Sequence, residues 1–254
     1  MKIVRMALAG DEIAYGAVEP EGVRLHRGSP LVAWEPTETV VAFDDVRLLA
    51  PVLPTKVVCV GRNYVDHAAE RGAPVPEEPV IFIKPSTAVI GPGAAIVLPP
   101  DSSEVHHEAE LAVVVGRVSR NVAADDASVY ILGYTAGNDV SARDLQARDG
   151  QWARAKGFDT FCPLGPAIET EIDPADLGIT CSVDGVLRQE GNTADMVFPV
   201  GELFAFVTRV MTLLPGDVIL TGTPAGVGPI GAGDRVDVEI ERIGILSNPV
   251  VAGR

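Results

Sequence analysis

Hydrophobic and polar positions alternate along this chain in short runs bounded by Gly, Pro and Asp. The first fifty residues read as KIVRMALA, IAYGAVE and VRLHRG, separated by GDE and PEG. That pattern predicts a small antiparallel β domain over residues 1–53. Ala50-Pro51-Val52-Leu53-Pro54 reads as a linker, because its two prolines hold the backbone extended. A larger unit over residues 54–254 opens on the apolar run KVVCVG at 56–61. It continues with VIFIKP (80–85), ELAVVVG (110–116), YILGYTAGND (130–139), ITCSVDG (179–185), DVILTGT (217–223) and DRVDVEIE (234–241), all rich in β-branched residues. Helical spacing occurs at 64–71 and at 201–213, where Leu203, Phe206, Val207 and Val210 share a predicted face. So few helices cannot cover a parallel sheet. The expected class is therefore mainly β (α+β), with mixed or antiparallel sheets.

Composition narrows the partners. Hydrophobic residues make up 47% of the chain, enough for a well-buried core. The 20 basic and 35 acidic residues give a net charge of -15, which repels nucleic acid and anionic membrane surfaces. An anionic substrate would be repelled too, unless local cations reverse the field in its site. Cys59, Cys162 and Cys181 form no CxxC pair, so reduced thiols in a cytoplasmic protein are expected. No apolar run approaches the roughly 20 residues that span a bilayer.

The most informative segment is His106-His107-Glu108-Ala109-Glu110-Leu111-Ala112-Val113-Val114-Val115. On a strand, Glu108 and Glu110 project to one side, with Ala109, Leu111, Val113 and Val115 on the other. Two carboxylates on one face repel unless a cation lies between them, and a hard divalent ion prefers oxygen ligands. The competing reading is an exposed edge strand with two solvated glutamates; the apolar run that follows argues for burial. Asp139, at the end of YILGYTAGND, is a third carboxylate, although by itself it equally suits a turn cap. Other motifs fail. His107-Glu108 lacks the second histidine of HExxH, and the GxGxxG match at 226–231 contains Pro229 and precedes a strand instead of a helix.

Taken in order, six motifs resemble the fumarylacetoacetate hydrolase family. They are Val60-Gly61-Arg62-Asn63-Tyr64 with Asp66-His67, then Phe82-Ile83-Lys84-Pro85-Ser86, then Glu108-Ala109-Glu110-Leu111. Asn138-Asp139-Val140-Ser141-Ala142-Arg143-Asp144, Lys156-Gly157-Phe158-Asp159-Thr160 and Leu220-Thr221-Gly222-Thr223-Pro224 follow. The resemblance spans about Lys56 to Val251 and implies a β-roll of mixed sheets, a small amino-terminal β domain and a homodimer. It also implies Mg²⁺ or Mn²⁺ (or Ca²⁺ in vitro) on Glu108, Glu110 and Asp139, bordered by Lys156 and Thr160. His67 and Glu70 match the His–Glu pair that the acylpyruvase-like branch carries on a lid. At i and i+3 of a helix they face the same way.

The function this implies is metal-dependent hydrolysis of an acylpyruvate-type β-diketo acid through a metal-stabilised enolate, with oxaloacetate decarboxylation as a further outcome. His67, assisted by Glu70, would activate water, and Lys156 would stabilise an oxyanion. Arg62, Tyr64, Lys84, Arg143, Gln146 and Thr223 are candidates for contact with the substrate, a small anionic keto acid. The alternative activity is 2-hydroxyhepta-2,4-diene-1,7-dioate isomerisation in aromatic catabolism. The alternative of another class is a non-catalytic metal- or metabolite-binding protein, which loss of a ligand or of the His–Glu pair would signal.

Overall fold

The computed structural model describes residues 1–70, 72 and 74–253. Its backbone is mostly strand, arranged in mixed sheets. The main sheet has twelve strands. Ten lie in the order Ala33–Val41, Gly22–Ser29, Ile13–Glu19, Lys2–Ala7, Cys162–Glu169, Ile131–Asn138, Ala109–Val115, Val218–Leu220, Lys56–Gly61 and Val80–Pro85. The first four form an antiparallel meander: three match the runs predicted from the alternation, and Ala33–Val41 is a fourth that is not among them. Lys2 and Ile3 then pair with Glu169 and Ile168, so the amino-terminal strands continue the main sheet. Val218–Leu220 and Lys56–Gly61 run parallel; most other neighbours are antiparallel. A five-stranded sheet orders Val186–Asn192, Gly178–Val183, Arg235–Ile240, Gly244–Ala252 and Ile96–Leu98. It covers one face of the main sheet, sharing a core in which Leu111 and Val113 meet Ile179, Val238 and Leu246.

Ala109–Val115 is the strand on which the site depends. Every residue of it is buried. Leu111, Val113 and Val115 fill the core against the second sheet, while Ala112 and Val114 face a second cluster with Val57, Cys59 and Leu220. Burial on both faces rules out the solvated-edge reading.

Several sequence expectations change. The 50–54 segment is extended but is no free linker, because Val52 is fully buried in the cluster containing Ile3 and Val57. The helix expected at 201–213 spans Val200–Val210, and its buried stripe is Val200, Leu203, Phe204, Val207 and Thr208. Phe206 and Val210 lie off that stripe: the i, i+3, i+4, i+7, i+8 pattern begins at Val200 and turns the buried face round the axis towards Phe204 and Thr208. Chain beyond the helix leaves it because Leu213 bridges to Ser119. The helix expected at 64–71 is Val65–Glu70; Arg71 lies outside the described residues. Cys59, Cys162 and Cys181 are buried free thiols, and burial pushes Cys162 and Cys181 up to about 12. No helix among the described residues is long and apolar enough to cross a membrane.

One buried carboxylate joins the start of the larger unit to the strand that leads into the site. Asp217 accepts hydrogen bonds from Thr55 N (3.0 Å), Thr55 Oγ1 (2.6 Å), Lys56 N (3.2 Å) and Leu214 N (2.9 Å), and pairs with the Lys56 ammonium. Burial alone would raise its carboxyl, but these donors outweigh burial and hold it below the usual range. A depressed folded-state pKa stabilises the fold above the unfolded value, about 3.9, and the contribution is lost as pH falls through the folded value. Asp217→Asn should therefore cost about 1–3 kcal/mol near neutral pH, from donors left with a poorer acceptor. In urea melts the gap to wild type should narrow in acid. An equal gap at neutral and strongly acid pH would contradict this role.

Candidate metal centre and cavity

Backbone pairing assembles the carboxylates. Ala109 stands opposite Asn138 in the sheet register, and Asp139 N donates to Glu108 O at 2.9 Å. Asn138 Oδ1 accepts from Glu108 N at 2.9 Å, closing the same junction from the other side. Glu108 and Asp139 are thus held side by side where two strands end, and alternation brings Glu110 to the same face. Ligand oxygens of all three lie within 4.8 Å of one another, and all three residues are buried.

Three cations balance this cluster unevenly. Lys156 Nζ, from the Ala153–Gly157 helix, donates to Glu108 Oε2 (2.7 Å) and Asp139 Oδ2 (2.6 Å). Lys84 pairs with Asp139 and also donates to Val140 O at 3.0 Å. Arg143 pairs with Glu108 and donates to Gln146 Oε1 at 2.9 Å. Burial would raise the Glu108 carboxyl, yet Arg143, Lys156 and His67 outweigh burial and hold it well below the usual range. Burial likewise opposes the charge on Lys156, but Asp139 and Glu108 raise its pKa overall.

Glu110 differs. It accepts a hydrogen bond from Gly222 N at 2.7 Å, and among the described residues no side-chain cation pairs with it. Burial, and then Asp139 and Glu108, push its carboxyl well above the usual range. Without a metal this favours the protonated form of Glu110, and a cation placed among the three carboxylates would favour its ionised form. An all-oxygen donor set in which one carboxyl has, among the described residues, no cation of the protein paired with it suits a hard divalent cation, so the residues fit a metal.

The trio opens on a cavity of about 220 Å³. Arg62, His67, Arg143, Gln146, Lys156 and Thr223 line it together with the carboxylates. His67, on the Val65–Glu70 helix, is 6% exposed. Its Nδ1 meets Glu70 Oε2 at 3.2 Å, while Glu70 Oε1 accepts from Gly226 N at 3.1 Å. An ionised carboxylate only accepts, so Nδ1 carries the proton and Nε2 is the basic nitrogen. Arg62 takes up a left-handed backbone (φ 61°), an uncommon conformation for a residue with a side chain.

Three expected residues stand elsewhere. Lys84 is wholly buried beside Asp139 and does not line the cavity, so it meets a carboxylate of the protein in place of one on a ligand. Tyr64 is 2% exposed and lines a neighbouring cavity with Asp66, Glu190 and Asp195. Thr160 Oγ1 accepts from Val97 N at 2.9 Å, which ties its loop to the Ile96–Leu98 strand.

Sequence reasoning missed other residues at the site. Trp152 and Phe82 meet edge to face, centroids 5.2 Å apart, and form an apolar wall; Lys156 Nζ lies 5.2 Å from the Phe82 centroid. Gly61 has no room for a side chain, since a Cβ would lie 2.7 Å from the Trp152 ring. A rare Trp in a chain with 5% aromatics is the one signal that points to this wall. Asn63 fixes the loop carrying Gly222 by donating to Thr221 O (2.8 Å) and Phe198 O (3.0 Å) and accepting from Phe198 N (2.8 Å).

Known proteins resemble this chain over nearly its whole length. The family model described as fumarylacetoacetate (FAA) hydrolase C-terminal matches residues 56–251, and one described as Rv2993c-like, N-terminal matches residues 1–51. Human mitochondrial oxaloacetate tautomerase FAHD2A is 49% identical over 225 residues, covering 84% of this chain and 72% of that protein. The crystal structure of 5-carboxymethyl-2-hydroxymuconate delta-isomerase from Mycobacterium smegmatis superposes with a TM-score of 0.93 at 49% identity, over 100% of both chains. The fumarylacetoacetate hydrolase from Exiguobacterium antarcticum gives 0.90 at 38% identity, again over 100% of both.

The uneven charge balance separates Glu110 from its neighbours. Glu110→Gln should weaken Mn²⁺ binding in calorimetric titration by at least about tenfold, roughly 1.4 kcal/mol. In EDTA it should leave the melting temperature nearly unchanged, because the amide replaces a carboxyl that burial already disposes to hold its proton. Undiminished Mn²⁺ affinity, or a marked loss of stability in EDTA, would contradict the charge assignment.

Proposed function

The chain belongs to the fumarylacetoacetate hydrolase family, and from that premise we propose that it moves protons on a small 2-oxo dicarboxylic acid, oxaloacetate being the first candidate. The observation that carries this reading is His67, its Nδ1 tied to Glu70, on the same small cavity as the carboxylate trio and Lys156. A divalent ion such as Mg²⁺ or Mn²⁺, held by Glu108, Glu110 and Asp139, would supply Lewis-acid polarisation of the substrate's 2-oxo group.

The chain's own groups do the rest. His67 Nε2 takes a proton from the carbon beside the 2-oxo group. The imidazolium then gives that proton to the enolate oxygen, which forms the enol and regenerates the base; the reverse sequence restores the keto acid. Glu70 fixes the imidazole tautomer and steadies the imidazolium while the proton is held. Arg62, Arg143 and Lys156 make the cavity locally attractive to a dianion on a protein of net charge -15. Phe82 and Trp152 pack against the carbon skeleton and limit water beside the proton being moved.

The relatives named for tautomerase and isomerase activity favour proton transfer over the hydrolysis that the motif order ranks first. Hydrolysis of an acylpyruvate is the second reading. It is favoured by the same His67–Glu70 pair, since an Nε2 kept basic by the Nδ1 contact can take a proton from water as well as from carbon. A non-catalytic binding role is disfavoured because the trio, Lys156 and the His–Glu pair are all retained.

A spectrophotometric panel with Mg²⁺ or Mn²⁺ decides between these readings. Oxaloacetate keto–enol exchange should be fastest, ahead of 2-hydroxyhepta-2,4-dienedioate isomerisation and of acetylpyruvate or fumarylpyruvate cleavage. His67→Ala should lower the leading activity by roughly 10²–10⁴-fold. Dominant cleavage of acetylpyruvate would favour the second reading, and full activity of His67→Ala would remove His67 from the mechanism.

A further inference from the structure

Val186–Asn192 is an edge strand of the five-stranded sheet, with its first three residues exposed and a single fully buried side chain, Gln189. A lone polar residue turned inward from such a strand must satisfy its whole amide inside the protein. Gln189 does so across two sheets. Its Oε1 accepts from Ala109 N at 3.0 Å and from His107 Nδ1 at 2.9 Å. Its Nε2 donates to Thr223 Oγ1 at 2.7 Å and to Pro224 O at 2.9 Å.

These partners leave no freedom in the amide's orientation. The Ala109 backbone N–H can only donate and the Pro224 carbonyl can only accept, so Oε1 and Nε2 cannot be exchanged. It follows that Thr223 Oγ1 receives a hydrogen. Its own hydroxyl hydrogen is then directed elsewhere, and among the described residues it is donated to no protein acceptor. Thr223 lines the cavity.

The geometry points to Gln189 as a positioning residue that makes Thr223 a hydrogen-bond donor to an oxygen of the bound acid. Gln189 itself does not line the cavity and acts through Thr223. Its other partner, Ala109, lies between Glu108 and Glu110, so one side chain sets the spacing between the carboxylate strand and the 221–226 loop. That loop also carries Gly222 N to Glu110 and Gly226 N to Glu70. Close packing supports the same anchorage: at Gly226 a Cβ would lie 2.2 Å from Arg188 O, so the loop runs directly against the Gln189 strand.

The inference rests on the reading of this cavity as the reaction site, and the test separates the two. Gln189→Glu keeps an acceptor for Ala109 and His107 but has no hydrogen to give Thr223, which would then turn its own hydrogen away from the cavity. Gln189→Glu and Thr223→Val should each lower kcat/KM for oxaloacetate by roughly 100-fold, a loss in keeping with misplaced catalytic contacts. The double variant should be scarcely worse than either, Thr223→Ser should retain activity, and Mn²⁺ affinity should be unchanged throughout. Gln189→Met serves as the uncharged control should the glutamate variant fold poorly. If wild type binds oxalate in the presence of Mn²⁺ without turning over oxaloacetate, the same cycle is read from oxalate affinity, and the functional reading alone fails. Additive losses, or Mn²⁺ affinity falling in parallel in Gln189→Glu and Gln189→Met, would overturn the Gln189 assignment. If wild type neither turns over oxaloacetate nor binds oxalate, both fail together.

Discussion

Three carboxylates buried within 4.8 Å of one another form an unstable arrangement unless cations are brought to them, and much of this fold serves that requirement. Lys84 comes from a strand, and Arg143 and Lys156 from two consecutive helices much later in the chain. Each is drawn in by a specific oxygen of Glu108 or Asp139. Removing one partner from such a buried pair typically costs about 3–5 kcal/mol, so these contacts fix the positions of the elements that carry them. The balance is incomplete at Glu110. A divalent ion would give its carboxylate the cation that no described residue supplies.

A rigid frame is needed to hold like charges this close. It is supplied by Ala109–Val115, packed on both faces, and by the strand beside it. At Gly137 on that neighbouring strand a Cβ would lie 2.5 Å from Leu220, so the sheet is closely overlaid just behind the trio. The part of the cavity lining that carries His67 is built differently. The short His67 helix and the 221–226 loop meet there through Glu70 and Gly226. Gly222, with φ of +98°, lets that loop turn its N–H onto Glu110. Substitution there would meet Asn63 as well as a strained backbone.

Much of this arrangement is legible in the local pattern of residues. Strand alternation is a two-residue period, so the shared face of Glu108 and Glu110 follows directly from their spacing, and the uninterrupted apolar run after them signals burial. Asp139 is not recoverable in the same way, because the Ala109–Asn138 register that seats it is a long-range pairing. Lys84 sits in a legible strand, yet whether its ammonium meets a ligand or the protein's own Asp139 depends on depth, which no periodicity encodes. The buried stripe of the Val200–Val210 helix is obscured because Phe206 and Val210 are apolar without being buried. Gln189 and Trp152 have no motif to mark them; their importance comes from what packs against them across the fold.

Anomalous diffraction from crystals soaked in Mn²⁺ tests the central claim most directly. The account predicts one strong peak among the carboxylate oxygens of Glu108, Glu110 and Asp139. Peaks only elsewhere on this acidic protein, with that trio held by Lys156, Lys84 and Arg143 alone, would contradict it.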